Sequence, residues 1–85
     1  MISRKYDGNS NVTGKKIEAL RKSNKWSRAT LSNKLMMLGI DINYDGIYKI
    51  ENGNRIVKDF ELAAIAKVFN ISESDLLKDF RNKLN

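Results

Sequence analysis

The sequence predicts an all-α protein folded as a compact five-helix bundle. Apolar residues recur at the i, i+3, i+4 and i+7 spacing of helices along most of the chain, and no alternating strand pattern competes with them. The chain contains no proline, which agrees with helix-dominated structure. Its 85 residues leave room for one domain, and 41% hydrophobic with 31% charged residues is typical of a chain that folds.

The division of the chain follows from where this periodicity begins and ends. Residues 1–12 mix Ser, Asn, Gly and charged residues without apolar periodicity, so we expect a flexible N-terminal tail there. The helical domain is expected over residues 13–79. Residues 80–85 are assigned to a C-terminal tail, and a helical continuation into it stays open.

The first helix is expected from Thr13, as its N-cap, to about Asn24. Ile17 and Leu20 would face inward. The Lys and Arg residues of this segment would then point outward, which predicts a strongly basic outer face.

The second helix is expected to begin after Ser27, a good N-cap residue. Leu31, Leu35 and Leu38 follow at the i, i+4, i+7 spacing of one helical face. Trp26, just before the cap, could pack as a hydrophobic staple at the entrance of the helix.

The third helix is predicted over about 44–52, with Asn43 as its cap and with Ile47 and Ile50 on its buried side. Gly39 stops the second helix ahead of it, because glycine readily adopts the left-handed conformation that ends a helix.

Two more apolar helices complete the bundle. Asp59 is expected to cap the fourth, and Ser72 the fifth, where Asp75 occupies the third position of a capping box. Their apolar residues are Leu62, Ile65, Ala66 and Phe69 in the fourth helix and Leu76, Leu77, Phe80 and Leu84 in the fifth.

The composition argues against several classes of function. The chain has neither Cys nor His, so it lacks thiolate sites, the usual zinc ligands and the commonest acid/base group near neutral pH, and we expect no metal and no cofactor. Its neighbouring carboxylates, such as Asp41 and Asp45, are explained by turns and caps, so an enzyme is not expected. The longest apolar run, around residues 35–40, is far too short to span a bilayer, which favours a cytoplasmic protein without a membrane partner.

The charge is concentrated in one half of the chain. The net charge is +6, and seven basic residues stand between Thr13 and Leu38 against the single acidic residue Glu18. This asymmetry predicts a positive face of the kind that contacts phosphates, and the alternative is an ordinary solvated helix surface.

The segments WSRATLSNKL, LGIDIN and YDGIYKIENGNR set two short helices around a turn, and the small residue Ser32 allows them to cross closely. With LRKSNKWS before them and ELAAIAKVFNISESDLL after them, they resemble the Xre/Cro phage-repressor family of helix-turn-helix regulators over about Thr13 to Leu77. The resemblance implies a five-helix bundle of the phage-repressor DNA-binding type. Its third helix would enter the major groove of double-stranded DNA, and its second would lie across the backbone.

The resemblance also assigns roles by position. It implies phosphate contacts near the start of the second helix, base-edge and phosphate contacts along the third, and backbone contacts just after it. The residues at these positions are Ser27 and Arg28, then Asn43, Tyr44, Asp45, Tyr48 and Lys49, and then Asn54 and Arg55.

Several of these residues have a structural alternative. Tyr44 and Tyr48 could cover the edges of the core, and Asn43 is expected to serve mainly as a cap. Arg55 could pair with Glu51, four residues earlier.

Three features depart from the family pattern. The connection MMLGIDI is longer than the usual turn, so either the second helix gains a turn or the loop bulges. Gly46 stands where the family typically has a side chain aimed at a base. Asp45 brings a negative charge toward the groove, which helps only where it accepts a hydrogen bond from cytosine.

The sequence is compatible with two functions. The first is a repressor-like, sequence-specific transcription regulator that binds an inverted repeat as a homodimer, with Leu76, Leu77, Phe80 and Leu84 as candidates for the dimer seam or for closing the monomer core. The second is an antitoxin or adaptor that binds a protein partner and contacts DNA only weakly and without sequence preference.

Overall fold

The computed structural model describes residues 5–84, and these residues form five helices. The helices are α1 (Gly14–Ser23), α2 (Arg28–Met36), α3 (Tyr44–Glu51), α4 (Asp59–Phe69) and α5 (Glu73–Lys83). This arrangement confirms the predicted all-α fold. None of the helices in the described residues has the length and hydropathy needed to cross a membrane. Residues 1–4 of the predicted tail, and residue 85, lie outside the described residues.

Three of the predicted helix caps are confirmed. The side-chain oxygens of Ser27, Asn43 and Ser72 accept hydrogen bonds from backbone N–H groups three residues later, at 3.0, 2.8 and 3.0 Å. Each cap satisfies a donor that the first turn of a helix leaves without a partner inside the helix. These polar residues therefore fix the starts of α2, α3 and α5.

Helix α1 has the predicted bounds, with Thr13 at its N-cap and Asn24 at its C-cap, but a different side chain supplies the N-terminal cap. Thr13 stands at the N-cap position, but its buried hydroxyl makes no hydrogen bond in the described structure. Asn11 supplies the cap instead, because its Oδ1 accepts from the N–H groups of Thr13 and Gly14 at 3.1 and 2.7 Å. The prediction of a capping role for the Thr13 side chain was wrong.

The described part of the predicted tail is attached to the domain. Asn11 Nδ2 donates to the carbonyls of Ile50 and Arg55 at 3.0 and 2.8 Å, and Ser10 N donates to Gly53 O at 2.7 Å. These bonds satisfy carbonyls at the end of α3 and in the residues that follow it, so Ser10 and Asn11 are attached to the domain, whereas composition suggested a flexible tail.

At the other end of the chain, the helical continuation that the sequence left open is present. Helix α5 continues to Lys83, past the expected limit at residue 79, and the Phe80 ring makes an edge-to-face contact with Tyr6 at 4.9 Å between centroids. The aromatic pair gives this part of α5 a partner in the N-terminal segment. The packed structure therefore extends beyond residues 13–79 in both directions.

The core lies where the five helices meet. The Trp26 ring stacks on Phe69 of α4 at 5.3 Å between centroids, so Trp26 packs on the core just before α2 begins, through α4. Leu38, predicted on the buried face of α2, is 46% exposed because the helix ends at Met36. The buried apolar residues are Ile17, Leu31, Leu35, Ile42, Ile47, Ile50, Ala64, Ile65, Ala66, Phe69 and Leu76.

The long connection between α2 and α3 forms a loop, and α2 gains no extra turn. The loop turns at Gly39, whose φ of +79° is a conformation that glycine adopts without steric cost. Ser32 Oγ donates a hydrogen bond of 2.6 Å to Ile42 O, so the end of the loop is attached to the middle of α2. The small Ser32 thus lets α3 approach α2 closely.

Helix α4 begins one residue earlier than predicted. Lys58 occupies the N-cap position and Asp59 is the first helical residue. The carboxylate of Glu61 accepts a hydrogen bond from the Lys58 N–H at 3.0 Å, and this bond replaces the expected cap by Asp59.

Candidate nucleic-acid interface

The exposed side of α3 carries four of the predicted DNA-contacting residues. Tyr44 and Tyr48 are 54% and 47% exposed, and the side chains of Asp45 and Lys49 are 65% and 55% exposed. The opposite side of the helix buries Ile47, Ile50 and Glu51. We call Tyr44, Asp45, Tyr48 and Lys49 the α3 strip.

The α3 strip has two different flanks. Glu51 lies three residues after Tyr48 and is therefore its neighbour on the helix surface, so we call this side the tyrosine flank. Gly46 lies three residues before Lys49 and adjoins the other edge of the strip, which we call the glycine flank.

On the tyrosine flank, one buried carboxylate holds two arginines. The Glu51 side chain is fully buried, and it accepts hydrogen bonds from Arg21 Nε at 2.6 Å, from Arg21 Nη2 at 3.2 Å and from Arg28 Nε at 2.9 Å. The hydrogen bond to Glu51 is the main reason why the pKa of Arg28 is raised. Glu51 therefore joins α1, α2 and α3 through charge-assisted hydrogen bonds.

The Arg28 guanidinium also packs on the α3 strip. Its central carbon lies 5.0 Å from the Tyr48 ring centroid and 5.9 Å from that of Tyr44. Both distances lie within the range of a cation–π contact. Arg28, predicted to face phosphates at the start of α2, is thus placed beside the residues predicted to face bases.

On the glycine flank, Arg55 is held by α4. Its Nη1 and Nη2 atoms donate to the two carboxylate oxygens of Glu61, each at 3.0 Å. The predicted pairing of Arg55 with Glu51 was wrong, because the Glu51 carboxylate already binds Arg21 and Arg28.

The Arg55 pair changes the titration of Glu61. Burial alone would raise the pKa of this carboxyl group, but the hydrogen bonds from Arg55 and from the Lys58 amide outweigh burial. The pKa of Glu61 therefore lies below its ordinary value, and the carboxylate stays charged at neutral pH.

The remaining predicted residues lie around the strip. Lys49 Nζ lies 3.1 Å from Asp45 Oδ2, so the charge that Asp45 brings to the strip is paired. Ser27 and Asn43 are exposed, but their side chains act as caps. Asn54 is exposed just beyond α3.

The packing of neighbouring residues explains why position 46 is a glycine. A Cβ at this position would lie 2.9 Å from Ile42 Cγ2 and 3.3 Å from Asn43 Oδ1. The first distance is shorter than a Cβ tolerates, so any other residue here would require the buried Ile42 side chain to shift.

Sequence reasoning missed the ion pair between Arg21 and Glu51. Arg21 was expected to point outward with the other basic residues of α1, but it is only 7% exposed. A signal was present, since Arg21 lies four residues after buried Ile17, and Glu51 lies four residues after buried Ile47. Charged residues at positions of two buried helix faces indicate a buried ion pair, although they do not say which charges meet.

The predicted positive face is therefore smaller than the count of basic residues suggests. Arg21 is buried, and Arg28 is bound to a carboxylate. Lys15, Lys22 and Lys25 remain exposed.

Comparison with known proteins gives one match. A family model described as "HTH_3: Helix-turn-helix" matches residues 17–76, a stretch that contains α2, α3 and α4 entirely. No curated protein and no solved structure matches the chain significantly.

Proposed function

Because the chain belongs to the HTH_3 helix-turn-helix family, we propose that it regulates transcription by binding a specific DNA sequence with α3 in the major groove. The match confirms the resemblance to Xre/Cro regulators, which are a DNA-binding and non-enzymatic kind of domain. Base recognition by α3, the repressor role and the homodimer are the parts of this proposal that go beyond the family.

The observation that carries the proposal is the pair of arginines at the two flanks of the α3 strip. Arg28 is bound by Glu51 and Arg55 by Glu61, and both carboxylates belong to buried residues. An arginine fixed in this way loses less conformational entropy when it binds, and its planar donor group keeps one direction. Such an arrangement suits the recognition of defined acceptor atoms better than it suits a diffuse attraction to phosphate.

The test is selection of binding sites from a random duplex library at physiological salt. We expect a defined sequence to be enriched and to bind about 10³-fold or more tightly than scrambled DNA. The matched control is Arg81→Ala, which removes an exposed arginine on α5, beside Arg28→Ala. The proposal predicts that only the Arg28 variant loses affinity for the selected sequence at a temperature where thermal melting shows both variants folded, and equal binding by both variants would contradict it.

We further propose that the regulator binds an inverted repeat as a homodimer, because one such module makes few base contacts. Among the candidates for the seam, Leu76 is 2% exposed and belongs to the monomer core, while Phe80 contacts Tyr6. Leu77 is partly buried, and Leu84, at 65% exposed, is the most accessible of the four candidates. The selected site should contain two half-sites about one helical turn apart, and sedimentation should show a dimer on this DNA.

A second candidate function is an antitoxin or adaptor whose main partner is a protein. The pairing of Lys49 with Asp45 supports it, because this pair leaves the middle of the α3 strip without net charge. This function predicts salt-sensitive binding to every DNA sequence and no enrichment in the selection. Enrichment of one sequence would argue against it.

A further inference from the structure

On the glycine flank, the Arg55 side chain lies next to Gly46, the position of α3 that has no side chain of its own. Gly46 lies in the first turn of α3 and has no side chain to present. The Nε atom of Arg55 lies 3.8 Å from the position that a Cβ of residue 46 would occupy. The Arg55 side chain therefore stands beside the bare backbone of α3, at the edge of the α3 strip.

Arg55 has donors to spare at this place. A guanidinium carries five N–H groups. Nη1 donates to Glu61 Oε1 and to Ile56 O, and Nη2 donates to Glu61 Oε2, so three are used. Across residues 5–84, the Nε–H and the second N–H of Nη2 have no hydrogen-bond acceptor. We call these two adjacent and nearly parallel donors the Arg55 fork.

The ion pair with Glu61 determines which kind of ligand the Arg55 fork can bind. The carboxylate neutralises the charge of Arg55, which weakens a general attraction to phosphate. It does not remove the two remaining donors, and it fixes their direction. A neutral pair with a directed fork is suited to a ligand that presents two acceptor atoms side by side, and in the major groove this is the O6 and N7 edge of guanine.

We propose that Arg55 is a specificity residue that reads one guanine through its fork and so replaces the side chain that Gly46 lacks. Glu61 acts as the positioning residue. The inference rests on the proposed function and goes further by naming the base, the atoms and the residue outside α3 that recognises them.

The experiment begins with site selection by the full chain and by Arg55→Lys, which keeps the charge and loses the fork. The matched control is Arg81→Lys on α5. We expect the wild-type chain and the Arg81 variant to enrich a guanine at one fixed position of each half-site. The Arg55 variant should lose about 10- to 100-fold of its discrimination for guanine at that position alone. Thermal melting verifies that each variant is folded.

A chemical probe identifies the acceptor atoms. Replacing the selected guanine by 7-deazaguanine removes N7 and leaves the rest of the duplex unchanged. The substitution should weaken wild-type binding and leave binding by the Arg55 variant unchanged. Glu61→Gln keeps Arg55 and an acceptor for the Lys58 amide, so this variant should lose part of the guanine preference while remaining folded.

Three results would overturn the inference. One is an Arg55→Lys variant that keeps the guanine preference. Another is an Arg55→Lys variant that loses affinity equally for all DNA sequences, and whose affinity no longer falls when one backbone phosphate is replaced by an uncharged methylphosphonate. This behaviour would identify Arg55 as a phosphate contact. A wild-type chain that enriches no sequence overturns the proposed function itself, which distinguishes that failure from the failure of Arg55 alone.

Discussion

The two flanks of the α3 strip use the same chemistry in different surroundings. On the tyrosine flank, Glu51 is completely buried and holds Arg21 and Arg28 between three helices. On the glycine flank, Glu61 binds one arginine, Arg55, whose side chain is 28% exposed. The first cluster is therefore buried except for Arg28, whereas the second joins a buried carboxylate to one partly exposed arginine.

This difference separates stability from recognition. A buried charge that loses its partner is costly, because neither water nor protein then compensates for it. The tyrosine flank should therefore govern whether the domain folds. The glycine flank is more accessible to solvent and keeps two donors of Arg55 for a ligand, so it should govern which sequence is bound.

The largest expected effect is that of Glu51→Gln. The change leaves Arg21 buried without its carboxylate and places an amide donor against two guanidinium groups, so we expect unfolding to become easier by about 3–5 kcal/mol. Urea unfolding measures this difference. The control is Asp41→Asn, which alters an exposed carboxylate in the loop before α3 and should change stability by less than about 0.5 kcal/mol.

A smaller loss of stability is expected from Glu61→Gln. Arg55 is partly solvated, and the glutamine oxygen can still accept from the Lys58 amide, so the cost should be about 1–3 kcal/mol. Urea unfolding on the same scale tests the comparison directly. If the two glutamine variants were equally destabilised, the distinction between a flank with a buried arginine and a flank with a partly exposed one would be wrong.

Acid should remove the contribution of Glu61. The pKa of this carboxyl group is lower in the folded chain than its ordinary value of 4.5. The stabilisation is therefore complete above that value and is lost as the pH falls through the lower folded pKa. The difference in unfolding free energy between the wild type and Glu61→Gln should stay constant from about pH 7 to 5 and shrink below it. A constant difference down to about pH 3 would contradict the assignment.

The features that could be predicted from the sequence are the helices and most of their caps, because these depend on residues close together in the chain. The five helices follow from apolar periodicity, and the caps at Ser27, Asn43 and Ser72 follow from residue type at a helix start. The cap from Asn11 was missed because that side chain reaches both α1 and the end of α3 through a loop conformation that periodicity does not describe.

The candidate site was less predictable because its ion pairs join distant parts of the chain. Arg21 and Glu51 are thirty residues apart, so no local spacing connects them. Arg55 was paired with Glu51 by the i, i+4 rule, whereas its partner is Glu61 in the next helix. Once Glu51 is known to bind Arg21 and Arg28, Arg55 requires another carboxylate, and only the fold shows which one is near.

The aromatic part of the tyrosine flank should have a modest effect. Tyr48→Leu removes the ring under Arg28, and a cation–π contact at an exposed site contributes about 0.5–1 kcal/mol. Tyr48→Phe keeps the ring and is the matched control. We expect urea unfolding to show destabilisation in the leucine variant alone. A similar loss in both variants would assign the effect to the hydroxyl group instead of the ring.

The smallest change in stability is expected at Lys49, whose exposed pair with Asp45 contributes about 0.3–0.5 kcal/mol.

Lys49 should affect DNA binding through the salt dependence of affinity, since one phosphate contact adds about one unit to that dependence. Lys49→Ala should flatten that dependence by about one unit. Asp45→Asn should instead strengthen binding, because it frees Lys49 for a phosphate and removes a repelling charge. Affinity measured from low to high salt tests both variants. An unchanged slope in Lys49→Ala would mean that Lys49 serves only Asp45, leaving recognition to the two arginines at the flanks.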